Sequence, residues 1–269
     1  MSAANLILLQ NLDCSNISFS EPKVNKGRAT TIYLNYGEGQ MPMLQTPSLR
    51  VAYNGMSAFP NPDTGAIQYS IELQINEEIE AEAFRKVLEF DETVLNAAVK
   101  NSKPWFKKKL DKAVCREFQV TWHRPCIDRA TGEESKAFPG TLRFKLQTDE
   151  KGFKFPIYDM RTREEIPAPA NLQDYVPKGS HVRLILKCGG LWVANGRFGC
   201  VWYPEQMQVE QSQRLTSCAF IRTGEEGEGT EADEVDLSSS RGGAAAAAAS
   251  EEEVIEEEDG EVVESDGEE

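Results

Sequence analysis

The sequence is poor in the residues on which metal binding, membrane insertion and most catalysis depend. Histidine is nearly absent: His123 and His181 are the only two in 269 residues, and they are far apart. Its six cysteines, Cys14, Cys115, Cys126, Cys188, Cys200 and Cys218, are scattered, with no Cys-x-x-Cys pair. Zinc sites draw ligands from closely spaced Cys and His pairs, so no metal is expected. No apolar run is long enough to span a bilayer, and Leu6–Leu9 is too short for the apolar region of a secretory signal. The thiols are therefore expected to be reduced, in cytosol or nucleus.

Catalytic motifs are missing as well. There is no Gly-x-Ser-x-Gly elbow, no phosphate-binding loop ending in Gly-Lys-Ser/Thr and no His-Glu-x-x-His helix. Gly189-Gly190 and Gly196-x-x-Gly199 read as turn and strand glycines. His123, beside Arg124, reads as a surface or core residue rather than a general base. Neither an enzyme nor a cofactor is expected.

What the chain does have is charge, unevenly placed. Of its 44 acidic residues, 19 lie from Gly224 onward with only one of the 29 basic ones, so that stretch carries −18. The preceding residues hold 28 basic and 25 acidic side chains, a net +3. The overall charge of −15 thus describes neither part. From Gly224 the sequence repeats Glu and Gly and contains the run Ala244–Ala249, too little apolar area to offset chain entropy, so 224–269 is expected to be a disordered acidic tail. The body has the length of one folded domain.

Within the body, period-two alternation dominates. It predicts strands at 67–75 (Tyr69, Ile71, Leu73 and Ile75 inward), 141–147 (Leu142, Phe144, Leu146), 152–159 (Phe153, Phe155, Ile157) and 181–188 (Val182, Leu184, Leu186). Further strands are expected at 30–36, 42–45 and 48–53. Asn195-Gly196 predicts a two-residue hairpin turn, because both central positions need positive φ. Pairing outward puts Ala194 opposite Arg197, Val193 opposite Phe198, Trp192 opposite Gly199 and Leu191 opposite Cys200. Leu191, Val193, Phe198, Cys200 and Trp202 then face the core, and Trp192 lies across Gly199.

Apolar residues at three- and four-residue spacing, Ala83, Phe84, Val87, Leu88, Val94, Leu95 and Ala98, predict a helix within 77–99. A second helix is expected over 102–112, and 114–124 returns to alternation. The fold class is mainly β with some helix (α+β): an antiparallel barrel with a helical insertion near 77–112, spanning 24–223 behind an extension at 1–23.

Two regions bring cations and rings together. The strands at 141–147, 152–158, 181–188 and 191–203 contain no Asp or Glu, and on the side away from the core they offer Arg143, Lys145, Lys154, Arg183, Lys187 and Arg197, with Trp192, Tyr158 and Tyr203 beside them. The segment KNSKPWFKKKLDKAVCREF, 100–118, sets Trp105 and Phe106 among Lys103, Lys107, Lys108, Lys109 and Lys112. Such a combination suits a polynucleotide, cations tracking phosphates while rings stack on bases. The same residues equally suit a solvated sheet face and a helix anchored by its rings.

TTIYLNYGEGQMPMLQTPSLRVAYNGMSAF (30–59), YSIELQI (69–75), NSKPWFKKK (101–109), FKFPIYD (153–159) and GRFGCVWYPEQMQV (196–209) occur in that order. The ordered set resembles the single-stranded DNA-binding proteins of nucleocytoplasmic large DNA viruses. The resemblance implies an OB-fold core with inserted helices that binds single-stranded DNA, or RNA, without sequence preference, in the nucleus or cytoplasm of an infected or host cell. It implies a role in replication, recombination or repair. The acidic tail departs from this pattern; it suits recruitment of replication or repair proteins, a solubility brush, or a ligand for basic proteins. Two rival readings of the whole are an acidic-tailed chaperone or adaptor for basic proteins such as histones, and a virion or scaffold assembly protein.

Overall fold

A computed structural model of the protein describes residues 6–24, 30–61, 65–135 and 137–210. They belong to one compact unit, Met1–Thr216. The acidic tail from Gly224 and its expected disorder lie outside the described residues.

In chain order the strands begin with β1 (Leu6–Leu8), β2 (Ile17–Phe19), β3 (Lys23–Val24), β4 (Thr30–Ile32), β5 (Leu34–Tyr36), β6 (Gly39–Gln40) and β7 (Met43–Gln45). Two longer strands, β8 (Leu49–Pro60) and β9 (Ile67–Gln74), lead to the helices α1 (Ala81–Lys100), α2 (Ser102–Phe106) and α3 (Lys112–Phe118). Next come β10 (Gln119–Val120), β11 (His123–Arg124), β12 (Thr141–Leu146), β13 (Thr148–Asp149), β14 (Gly152–Phe153) and β15 (Ile157–Asp159). The long hairpin of β16 (His181–Ala194) and β17 (Arg197–Glu210) completes the set.

The protein is mainly β with a helical insertion. Five strands form a continuous ladder, β12–β9–β8–β16–β17, and β17 returns alongside β12, so the sheet curls around one core. This is an OB-like, partly open barrel. Inward residues follow the expected alternation: Leu142, Phe144 and Leu146 on β12, Ile71 and Leu73 on β9, and Val182, Leu184 and Leu186 on β16 are buried. Short strands extend the hairpin on both sides: β4 and β7 pair with β16, while β10 and β15 run parallel to β17.

The hairpin takes the register set by its turn. Asn195 and Gly196 have φ of 49° and 75°, and Ala194, Val193, Trp192 and Leu191 pair with Arg197, Phe198, Gly199 and Cys200. Period two then fails twice. The pairing shifts between Cys188 and Gly190, leaving Gly189 as an extra residue on β16, and between Ile185 and Leu186, leaving Glu205 extra on β17.

Other expectations need correction. Residues 6–19 are no extension: Leu9 and Leu12 are fully buried, and β1 pairs in parallel with β7. The helix expected over 102–112 stops at Phe106, because the chain turns left-handed at Lys107 (φ 62°). A new helix begins after Asp111, whose carboxylate accepts a hydrogen bond from the Val114 amide at 2.9 Å. Val114 and Phe118 are in phase for a strand but are equally an i, i+4 pair, and the cap decides for α3. Along α1, Phe90 joins Val87 and Val94 on the buried stripe, whereas Leu88, expected on that face, is exposed. The strand expected at 152–159 is interrupted between β14 and β15, at Pro156, which has no N–H to donate.

Candidate nucleic-acid interface

The outward face of the β16–β17 hairpin carries a cleft of about 360 Å³, within the range of small-molecule pockets. Its walls bear Tyr33, Lys154, Lys187 and Tyr203, with Gln147 and Glu205 at the margin. The floor is the β16 bulge at Cys188 and Gly189. The bulge makes the cleft possible: a Cβ on Gly189 would meet the Tyr203 ring at 2.3 Å, so only glycine lets the ring settle there. Tyr33 is half exposed and stands between β4 and β5, with the Lys23 ammonium 5.3 Å from its ring centre. Lys187 approaches the Glu205 carboxylate at 3.7 Å in an open, solvated arrangement that contributes little stability. Lys154 is exposed, its backbone amide donating to Gln147 O at 2.9 Å.

Gln147 ties the cleft to a second group of residues. Along β12 the outward positions are Arg143 and Lys145, and Gln147 follows two residues on at the cleft margin. Lys145 pairs across to Ser70 on β9, and Ser70 pairs to Ser57 on β8; Ser70 is buried, so this row presents exposed Lys145 and partly exposed Ser57. Two residues beyond Ser57 stands Phe59, 55 % exposed on the same outward face. Arg143 reaches Ser70 Oγ at 3.4 Å and Glu72 at 3.7 Å, so its charge is partly engaged. An exposed ring, a free-standing lysine and the partly exposed Ser57 thus lead towards the two tyrosines of the cleft.

The structure therefore brings Lys154, Lys187 and Tyr203 together and lines up Arg143 and Lys145 on the approach. Trp192 is half-buried on the same face of the hairpin, lying across Gly199: a Cβ there would be 3.4 Å from Trp192 Cζ2. Arg197 is exposed beside the turn, next to Ala194. Arg183 and Tyr158 flank Gln208 farther along the hairpin.

The lysine-rich segment lies apart from this face. Trp105 is buried, with its ring edge-on to Phe19 at 5.6 Å, so the expectation that it stacks on bases is corrected: its faces are already covered. Phe106 packs on Phe198 at 5.3 Å, on the core side of the hairpin, opposite Trp192. Lys103, Lys107, Lys108, Lys109 and Lys112 are exposed around this anchor. Lys112 and Arg116 both bridge Glu92, and Lys108 sits 6.0 Å over Phe118. Here the rings anchor and the lysines face water.

Sequence reasoning missed Tyr33 and Phe59. Tyr33 lies in the segment expected as a strand at 30–36, whereas Phe59 lies beyond the strand expected at 48–53; in the longer β8, alternation puts Phe59 out of phase with the core residue Met56. A second cleft, of about 350 Å³, is lined by Phe153, Phe155 and Tyr175 but has one base and one acid, Lys151 and Glu165, on its walls. It lacks the cationic excess of the first. Among the described residues no cluster of His, Cys, Asp and Glu is arranged to hold a metal, and no helix is long and apolar enough to cross a membrane.

No protein-family model matches the chain, and no curated protein matches it. Among solved structures, the chain is similar to the single-stranded DNA-binding protein of bacteriophage Enc34 in complex with single-stranded DNA. That match has 12 % identity and a TM-score of 0.43, covering 73 % of this chain and 94 % of that one. It is also similar to gp2.5, the single-stranded DNA-binding protein of bacteriophage T7, with 12 % identity and a TM-score of 0.39 over 67 % of this chain and 98 % of that one. These are remote likenesses, and the barrel assignment rests on the strand order given above.

Proposed function

We propose that this protein is a non-enzymatic, sequence-independent binder of single-stranded DNA that serves replication, recombination or repair. The observation that carries the reading is the cleft in which Tyr33 and Tyr203 stand beside Lys154 and Lys187, approached along Arg143 and Lys145. A phosphate backbone follows the cations, while an unpaired base enters between the tyrosines, where any base offers a π-face. A duplex keeps its bases stacked and cannot present one to the cleft. Exposed Phe59 offers a second platform on the approach. The ordered motifs that resemble viral single-stranded DNA-binding proteins support the same reading. The acidic stretch from Gly224, at −18, is suited to contacts with replication or repair proteins.

Fluorescence anisotropy on a labelled single strand and the matching duplex, across a salt series, tests this reading. Preference for the single strand is expected, with log K falling by about 0.7 for each phosphate neutralised. Equal affinity for both forms, or indifference to salt, overturns it.

A further inference from the structure

Among the described residues lining the cleft, Glu205 is the one acid, and the second bulge of the hairpin puts it there. Ile185 pairs with Gln206 and Leu186 with Pro204, so Glu205 has no partner across the ladder. Glu205 and Gln206 are exposed in succession between buried Pro204 and Met207, where a regular strand would turn one of them inward. From the turn at Asn195-Gly196 along β17, Glu205 is the first acid met.

A carboxylate at this place repels a phosphate backbone. Nor does Lys187 use it up. Glu205 Oε1 lies 3.7 Å from the ammonium, too far for a hydrogen bond, and both side chains are open to water. Oε2 engages no group among the described residues. The carboxylate therefore faces the cleft with its accepting capacity unspent.

The edge of an unpaired base suits such a group. An ionised carboxylate only accepts hydrogen bonds, through two oxygens. Guanine carries two donors side by side on its pairing edge, N1–H and the N2 amino group, and they can meet both oxygens at once. Adenine and cytosine offer one amino group beside a ring nitrogen whose lone pair faces the second oxygen. Thymine offers N3–H between two carbonyls, which repel it. Gln147, also at the margin, both donates and accepts, so it discriminates little.

We propose that Glu205 is a specificity-determining residue of the cleft, accepting the N1 and N2 protons of guanine, so that guanine is held best among unpaired bases. Phosphates stay with Lys154 and the approach along Lys145, clear of the carboxylate, while the base on the tyrosines turns its pairing edge to Glu205. Every base still enters and stacks, so the protein coats any sequence, and the preference acts at one position of each site. A duplex covers the same edge. The inference rests on the single-stranded DNA reading and deepens it.

The test uses the full-length chain and three labelled single strands in anisotropy titrations at fixed salt. One is all thymine, one has guanine at spaced positions, and one has inosine at those positions. Inosine keeps the ring, O6 and N1–H of guanine and lacks only the N2 amino group. The guanine strand should bind roughly three- to fivefold more tightly than the inosine strand, the lower end of what a bidentate pair discriminates. In Glu205→Ala that advantage should vanish, while the thymine strand binds at least as tightly as to wild type, because a negative charge has left the cleft. Equal affinity for guanine and inosine strands in wild type overturns the proposal, as does an advantage that survives in Glu205→Ala. Equal loss of affinity for all three strands in the variant makes Glu205 a structural residue and overturns it too. Wild-type protein that binds none of the strands defeats the single-strand reading itself, whereas binding without discrimination defeats only the guanine assignment.

Discussion

The ring of Tyr203 lies over Gly189, where a Cβ would stand 2.3 Å from its Cε2 atom. The backbone at Gly189 is not left-handed, so alanine is opposed there only by the ring. Gly189→Ala should therefore push Tyr203 out of the cleft without straining the strand. Single-strand affinity is expected to fall roughly tenfold, within the ~1–3 kcal/mol that one stacked base contributes. Tyr203→Ala should match it in an anisotropy titration at fixed salt. Affinities equal to wild type in both would place the stacking elsewhere.

Lys154, in the bend between β14 and β15, and Lys187, on β16, reach the same cleft. Lys154→Gln and Lys187→Gln should each weaken binding similarly for every sequence and lower the slope of log K against log salt by about 0.7. Lys187 has Glu205 nearby at 3.7 Å, so part of its charge is offset before DNA arrives, and its effect should be the smaller of the two. A salt series on each variant measures both quantities.

Trp105 is expected to behave as a core residue. Its ring touches Phe19 and Phe106, and Trp105→Ala leaves a cavity that destabilises the fold by about 3–5 kcal/mol. Chemical denaturation should show that loss. The salt slope of the folded protein should stay at the wild-type value, which distinguishes an anchor from a contact.

The half-buried Asp91 gives a prediction in pH. Its carboxylate accepts hydrogen bonds from the amides of Trp122 and His123, at 2.8 and 3.0 Å, yet burial raises its pKa from 3.8 to about 6. The folded state holds this proton more tightly than the unfolded chain, so the group's contribution is greatest below pH 4 and declines as pH rises to about 6. Asp91→Asn keeps the shape and one acceptor but does not titrate. The stability of wild type minus that of the variant should fall across this window, by up to about 3 kcal/mol, and stay level above it.

The parts of the fold legible in the sequence were those governed by local rules. Asn195-Gly196 sets the hairpin register because a two-residue turn leaves no slack, and β12 and β16 show their inward faces through simple alternation. Distant partners were not legible. Leu9 and Leu12 look like part of an N-terminal extension until β7 and α1 are seen packed against that segment. Trp105 among lysines reads equally as stacker or anchor, and Phe19, 86 positions earlier, decides. The cleft was half visible: Lys154, Lys187 and Tyr203 follow from strand phase, but the bulge at Gly189 breaks the period that phase assumes. Tyr33 joins them only because the chain breaks between β4 and β5.

The most direct test is photocrosslinking of the full-length chain to a single strand carrying 5-iododeoxyuridine, with the adducts mapped by mass spectrometry. Adducts on Tyr203 and Tyr33, suppressed in Gly189→Ala, are the predicted result. Adducts confined to the Lys103–Lys112 segment, with both tyrosines unmodified, would contradict the account.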